Sequence, residues 1–120
     1  MNQPNMILLY VNDPAASVKF YEAILQAKPI EQSPTFAMFK FNPSTMLGLW
    51  LRTGVKPEPS VTAGATEIGM HVADEAELRS VLAAWQGSGA KVLQQPERMD
   101  FGLTFTAQDP DGHRLRVFCD

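Results

Sequence analysis

Apolar and polar positions along this chain fall into two patterns, and those patterns recur twice in the same order. Residues 6–11, MILLYV, are an apolar run between Pro4 and Asn12-Asp13-Pro14, with the length and composition of a buried strand. Asp13 followed by Pro14 predicts a helix start. The carboxylate accepts from free amides, and proline suits the first helical position, where its missing N–H costs nothing. Val18, Tyr21, Ile24 and Leu25 share one face of that helix, which runs to about Gln26 before Pro29 forbids its continuation. Three short strands are expected next, at residues 28–32, 35–41 and 45–52, separated by turns at Ser33-Pro34 and Asn42-Pro43-Ser44. Residues 53–65, TGVKPEPSVTAGA, carry two prolines, two glycines and few large side chains, and read as a linker.

The pattern then restarts. Residues 66–73, TEIGMHVA, read as a strand, and Asp74 is a helix cap with Glu75 and Glu77 in the first turn, where the helix dipole favours them. Leu78, Val81, Leu82 and Trp85 make the apolar stripe, and Gly87 and Gly89 end the helix. Residues 91–95, 101–108 and 113–118 are three further strands. Residues match as well as elements: Tyr10-Val11-Asn12-Asp13 corresponds to His71-Val72-Ala73-Asp74, and Lys28-Pro29-Ile30 to Lys91-Val92-Leu93. A period near half the chain implies duplication of one unit. The expected fold class is α+β: two βαβββ units forming a curved mixed sheet. Together they make one domain over 1–120, divided as 1–53, a linker at 54–65, and 66–120.

Composition narrows the function. The chain has 120 residues, 45% of them hydrophobic, with no apolar stretch near the roughly 20 residues needed to span a bilayer. The amino-terminal run has no basic region or cleavage site before it, so no signal peptide or membrane association is expected and a cytoplasmic location is the simplest reading. The single cysteine, Cys119, excludes an internal disulfide and a cysteine-based zinc site within one chain. Ten basic residues against thirteen acidic ones, scattered along the chain, leave no excess to neutralise phosphates, which argues against nucleic acid as a partner.

Three stretches carry a family resemblance: YVNDPAASVKFY at 10–21, GSGAKV at 87–92 and DPDGHRLRVF at 109–118. The last is a turn in which Pro110 presets φ and Gly112 follows where φ is often positive. After a duplicated βαβββ unit it resembles the vicinal oxygen chelate superfamily of glyoxalase I, extradiol dioxygenases, fosfomycin-resistance enzymes and bleomycin-resistance proteins. LWLRTGVKPEPS, TEIGMHV and TFTAQDPDGHRLRV are most similar to its small drug-binding proteins, especially those that bind phenazine antibiotics.

The resemblance implies a divalent metal in most members, held by His and carboxylate ligands. Those positions fall here at Met6, Glu67, Arg116 and near Gly48 or Trp50. A thioether, a lone carboxylate and a permanent cation do not suit a hard divalent ion, so no metal and no cofactor are expected. Glu67 and Arg116 are expected to pair with each other instead. Cys119, on the core face, is a poor nucleophile candidate.

Strand parity then defines a face for a ligand. Tyr10, Met46, Trp50 and Phe118 point into the expected cavity, with Gly48 leaving space beside Trp50. Phe36 and Met38 join from the neighbouring strand, and Met99 and Phe101 from the loop before the seventh strand. Such a lining suits a flat aromatic molecule, oriented by Arg52, Glu67, His71 and Arg116. His71 has an alternative as a partly buried polar residue at a strand end, and Trp50 as plain packing. Phe39, Phe41, Leu47, Leu49, Ile68, Met70 and Trp85 belong to faces that meet the helices, and His113 is structural. The favoured function is metal-free sequestration of a planar aromatic drug, phenazine- or bleomycin-like. The resemblance implies a homodimer, with each cup made from halves of two chains. A metal-dependent lyase, isomerase, dioxygenase or thiol transferase stays open, as does a metal-free enzyme using Glu67 or His71 as acid or base.

Overall fold

The computed structural model describes residues 2–120, and by internal contacts the chain divides into two compact units, one through Val61 and one from Thr62 to Asp120. The first contains β1 (Met6–Val11), α1 (Pro14–Leu25), β2 (Glu31–Gln32), β3 (Phe36–Asn42), β4 (Thr45–Leu51) and a single 3-10 turn at Arg52–Gly54. The second contains β5 (Glu67–His71), α2 (Glu75–Gly87), β6 (Lys91–Met99), β7 (Gly102–Gln108) and β8 (Arg114–Cys119). Each unit builds its own four-stranded mixed sheet. The orders are β1-β4-β3-β2 and β5-β8-β7-β6, the same topology twice. In each, the first strand of the unit runs parallel to the last, and the remaining pairs are antiparallel. This is an α+β fold made of two βαβββ units.

Both helices start where an aspartate can cap them. Asp13 Oδ1 accepts from the amides of Ala15 at 3.1 Å and Ala16 at 3.3 Å, with Pro14 opening α1. Asp74 Oδ1 accepts from the Glu77 amide at 2.9 Å, while Glu77 Oε2 reaches back to the Ala73 amide at 2.8 Å. The caps satisfy amides that the helices themselves leave free, and the Glu77 carboxylate fixes the residue before the second cap. α1 ends in the left-handed Gln26 (φ 52°).

Parity separates each sheet into a helix-facing and an open side. In the first unit Leu9, Val11, Ala37, Phe39, Leu47 and Leu49 are buried together with Val18, Tyr21 and Ile24 of α1. In the second, Leu103, Phe105, Ala107, Leu115, Val117 and Cys119 are buried with Leu78, Leu82 and Trp85 of α2, and Trp85 meets Phe105 edge-on at 5.6 Å. Ile68, Met70 and Phe41, expected on the same faces, are half-buried.

Element boundaries depart from expectation in three places. β2 contracts to Glu31–Gln32, because only those two residues find partners, Met38 and Ala37. β4 stops at Leu51, and Arg52 enters the 3-10 turn instead of ending the strand. β6 runs through Pro96 to Met99, so Met99 is strand rather than loop. It is an edge strand with register shifts between Val92 and Gln94 and between Gln94 and Glu97, where a residue without an N–H is tolerated. Among the described residues, no helix is long and apolar enough to cross a membrane.

Candidate functional site

The open side of the first sheet carries Leu8 and Tyr10 from β1, Met46 and Trp50 from β4, and Phe36 and Met38 from β3. Register sets Tyr10 beside Trp50, and Trp50 beside Phe36. The Tyr10 and Trp50 rings meet edge-on with centroids 6.1 Å apart, and both remain partly accessible. The space expected over Gly48 is not there. A methyl at that position would lie 2.6 Å from Leu8 Cδ2 and 3.0 Å from Phe36 Cζ, because those two side chains close over it. Met46 sits at the other end of the strand, on an open hollow of about 550 Å³ shared with Gln3, Pro4, Asn5, Pro43 and Ser44.

Arg52 does not continue the row of Gly48 and Trp50. Leaving the strand, it turns its guanidinium to the Val61 carbonyl at 2.8 Å and borders a hollow of about 480 Å³ with Val55, Lys56 and Glu58. The 3-10 turn at Arg52–Gly54 ends the alternation that parity extrapolation carried on.

The open side of the second sheet is organised around Arg116. Its Nε donates to Glu67 Oε1 at 2.7 Å and its Nη2 to Glu67 Oε2 at 3.0 Å, a two-point carboxylate pair of the kind only arginine makes. Nη1 donates to Gln94 Oε1 at 3.1 Å and Thr104 Oγ1 at 3.2 Å. Thr106 Oγ1 donates to the same Gln94 oxygen at 3.0 Å, and Thr104 Oγ1 donates to the Val117 carbonyl at 2.8 Å. Thr104 and Thr106 are buried, so these bonds keep two hydroxyls satisfied on the face away from α2. Glu67 is held below its ordinary pKa, first by the hydrogen bond from Arg116, against a smaller opposing effect of burial, and further by the charges of Arg116 and Arg114.

Beside this network lies a chain of rings. His71 and Phe118 are neighbours in register, with centroids 5.2 Å apart, and Phe118 meets Phe101 edge-on at 5.9 Å. Phe101 also lies under the Arg116 guanidinium, 5.8 Å from ring centre to Cζ. Met99 Sδ accepts from Gln94 Nε2 at 3.4 Å. His71 Nε2 is 3.3 Å from Asp120 Oδ1, and its side chain is half-exposed, not folded into the strand end. Thus Glu67, Arg116, His71, Phe101 and Phe118 come together as the sequence suggested. Gln94, Thr104 and Thr106 were missed, although the alternation in LTFTA marks two polar residues on one strand face.

The family's metal does not fit this donor set. Both oxygens of Glu67 are engaged by a guanidinium that is itself cationic, and Met6 offers only a thioether. Among the described residues no three His, Cys, Asp or Glu side chains are grouped where an ion could be held. The turn after β7 is structural: Asp109 Oδ1 accepts from the amides of Asp111 and His113, each at 2.9 Å, and Gly112 takes the φ of +95° that closes it.

A model of the glyoxalase/bleomycin resistance protein/dioxygenase superfamily matches residues 3–117. The chain belongs to that superfamily. Names of enzymes and of resistance proteins both occur among the relatives. The chain is 27% identical over 117 residues to the phenazine antibiotic resistance protein EhpR of Enterobacter agglomerans, covering 95% of this chain and 89% of that one. The solution structure of ATC0852 from Agrobacterium tumefaciens is 47% identical, with a TM-score of 0.90 and coverage of 99% and 98%. A glyoxalase-related enzyme from Fulvimarina pelagi also superposes with a TM-score of 0.90, at 22% identity and coverage of 100% and 89%, which speaks for the fold alone.

Proposed function

We propose that this protein binds and sequesters a planar aromatic compound on its open sheet faces, without a metal, and that the compound is an antibiotic of the phenazine type. The Arg116–Glu67 pair carries this reading. It fills the chemistry of a metal ligand position with a satisfied ion pair and leaves the neighbouring surface to rings. Exposed Phe101, half-exposed His71 and the accessible Tyr10–Trp50 pair offer stacking surface, and offset or edge contacts with a guest ring are each worth about 1 kcal/mol beyond area burial. The resistance relative named for phenazine antibiotics supports the ligand class. The protein acts stoichiometrically, as a homodimer, on a small molecule rather than on nucleic acid or a membrane.

The test is titration of the purified protein with phenazine, followed by tryptophan fluorescence and calorimetry, with chromatographic recovery of the ligand afterwards. Saturable binding with the ligand recovered intact is expected. No saturation, or recovery of a modified product, contradicts sequestration. Trp50→Ala is expected to weaken phenazine binding at least tenfold while lowering the melting temperature by only a few degrees. Equal affinity in that variant removes Trp50 from the site.

A further inference from the structure

On β5 the open-side row reads Glu67, Gly69, His71, and on β8 its register partners are Arg114, Arg116 and Phe118. Gly69 therefore sits between the ion pair and the ring chain, and it is the one position in that row without a side chain. It differs from Gly48, the bare position on the open side of the first sheet, which lies on β4 and so matches Arg116 rather than Gly69 in the repeat. Over Gly48 the room is taken by Leu8 and Phe36, whereas a methyl on Gly69 would meet only Phe118 Cε1, at an ordinary 3.7 Å. Gly69 is exposed, so its backbone is a bare floor. Glu67 and His71, at its ends, are roughly 13 Å apart at about 3.3 Å per strand residue.

The walls of this floor differ in chemistry. On one side, four of the five N–H groups of Arg116 are committed to Glu67, Gln94 and Thr104, leaving the second hydrogen of Nη2 outside those bonds. On the other side stand the Phe118 and His71 rings, held edge to face. A bare floor, a ring wall and a single uncommitted donor together fit a flat ring system with an acceptor on its edge. A flexible or purely aliphatic molecule would use neither the rings nor the donor.

We propose that Gly69 is the seat of the guest. A planar aromatic molecule lies over its backbone, contacts Phe118 and His71, and accepts a hydrogen bond through a ring nitrogen or carbonyl oxygen from Arg116 Nη2. Gly69 is then a specificity-determining residue, because any side chain there occupies the volume of the ring. This rests on the sequestration reading and adds where the molecule sits and what its edge must carry.

Calorimetric titration of phenazine into the wild type, Gly69→Ala and Gly69→Leu tests it, with Gly87→Ala, at the open end of α2, as control. Gly69→Leu is expected to lose at least tenfold in affinity and Gly69→Ala about threefold, with melting temperatures unchanged or raised and the control unaffected. If Gly69→Leu does not fold, Gly69→Ala decides alone. Wild-type binding with equal affinity in the Gly69 variants overturns the seat but leaves sequestration standing, whereas no binding by the wild type overturns both. Quinoxaline, with two ring nitrogens, is expected to bind at least fivefold tighter than naphthalene, which has the same shape. Equal affinities overturn the acceptor contact.

Discussion

Arg116 shows how one residue can set the character of a surface. It is mostly buried, and its removal takes one donor from each partner it holds, although Gln94 keeps Thr106 and Thr104 keeps the Val117 carbonyl. Arg116→Ala strands the Glu67 carboxylate and takes a donor from Thr104 and Gln94. Leaving such groups unsatisfied costs about 1–3 kcal/mol, to be read from urea unfolding. Glu67 adds a pH dependence whose sign follows from its depressed pKa. The folded state favours the carboxylate, so the contribution is present above the ordinary value of 4.5 and fades as pH falls through the lower folded value. Glu67 is more than a third exposed, so solvent screens the effect. Glu67→Gln is expected to flatten the acid limb of melting temperature against pH, and an unchanged limb would show that the pair contributes nothing. The two glycines on open sheet faces, Gly48 and Gly69, compare a filled space with an empty one. Gly48→Ala must push aside the ends of Leu8 and Phe36 and is expected to cost about 1 kcal/mol, the low end for overpacking. Gly69→Ala meets no such resistance and should be neutral or stabilising by up to about 1 kcal/mol, since the methyl restricts the unfolded chain.

At the scale of elements, the parts best legible in the sequence were those fixed by local chemistry. Asp13 with Pro14, and Asp74 with Glu77, declare helix starts because a short carboxylate three residues before a free amide has few other uses. Two-residue alternation in LRVFC assigned the buried face of β8, and in MILLYV it placed Leu9 and Val11 inside, although Ile7, on the same parity at the start of β1, is exposed. Legibility ended where an outcome depended on a neighbour. β2 is short because β3 offers it only two partners, and β6 passes Pro96 because it is an edge strand, a property of sheet order rather than of KVLQQPERM. The candidate site divides the same way. The Glu67–Arg116 pair followed from the metal-ligand positions that the family resemblance assigns to these two residues. The filled space over Gly48 and the turn of Arg52 toward Val61 depend on side-chain reach, which parity does not encode.

For the whole molecule, the same strand order in both units supports duplication more strongly than the residue matches do, because topology constrains every strand at once. On the proposed reading, a donor set that does not suit a divalent ion leaves ligand binding independent of such ions. Dialysis against a chelator is expected to change phenazine affinity by less than twofold, and a tenfold loss would restore a metal to the site. The proposed homodimer should appear in light scattering as twice the chain mass. The most direct single measurement is an amide and side-chain NMR titration of chelator-treated protein with phenazine. Saturable, mutually consistent shifts at Gly69, His71 and Phe118 are the expected result. Shifts absent from those signals, or scattered without saturation, would contradict the claim that the open faces hold an aromatic guest without metal.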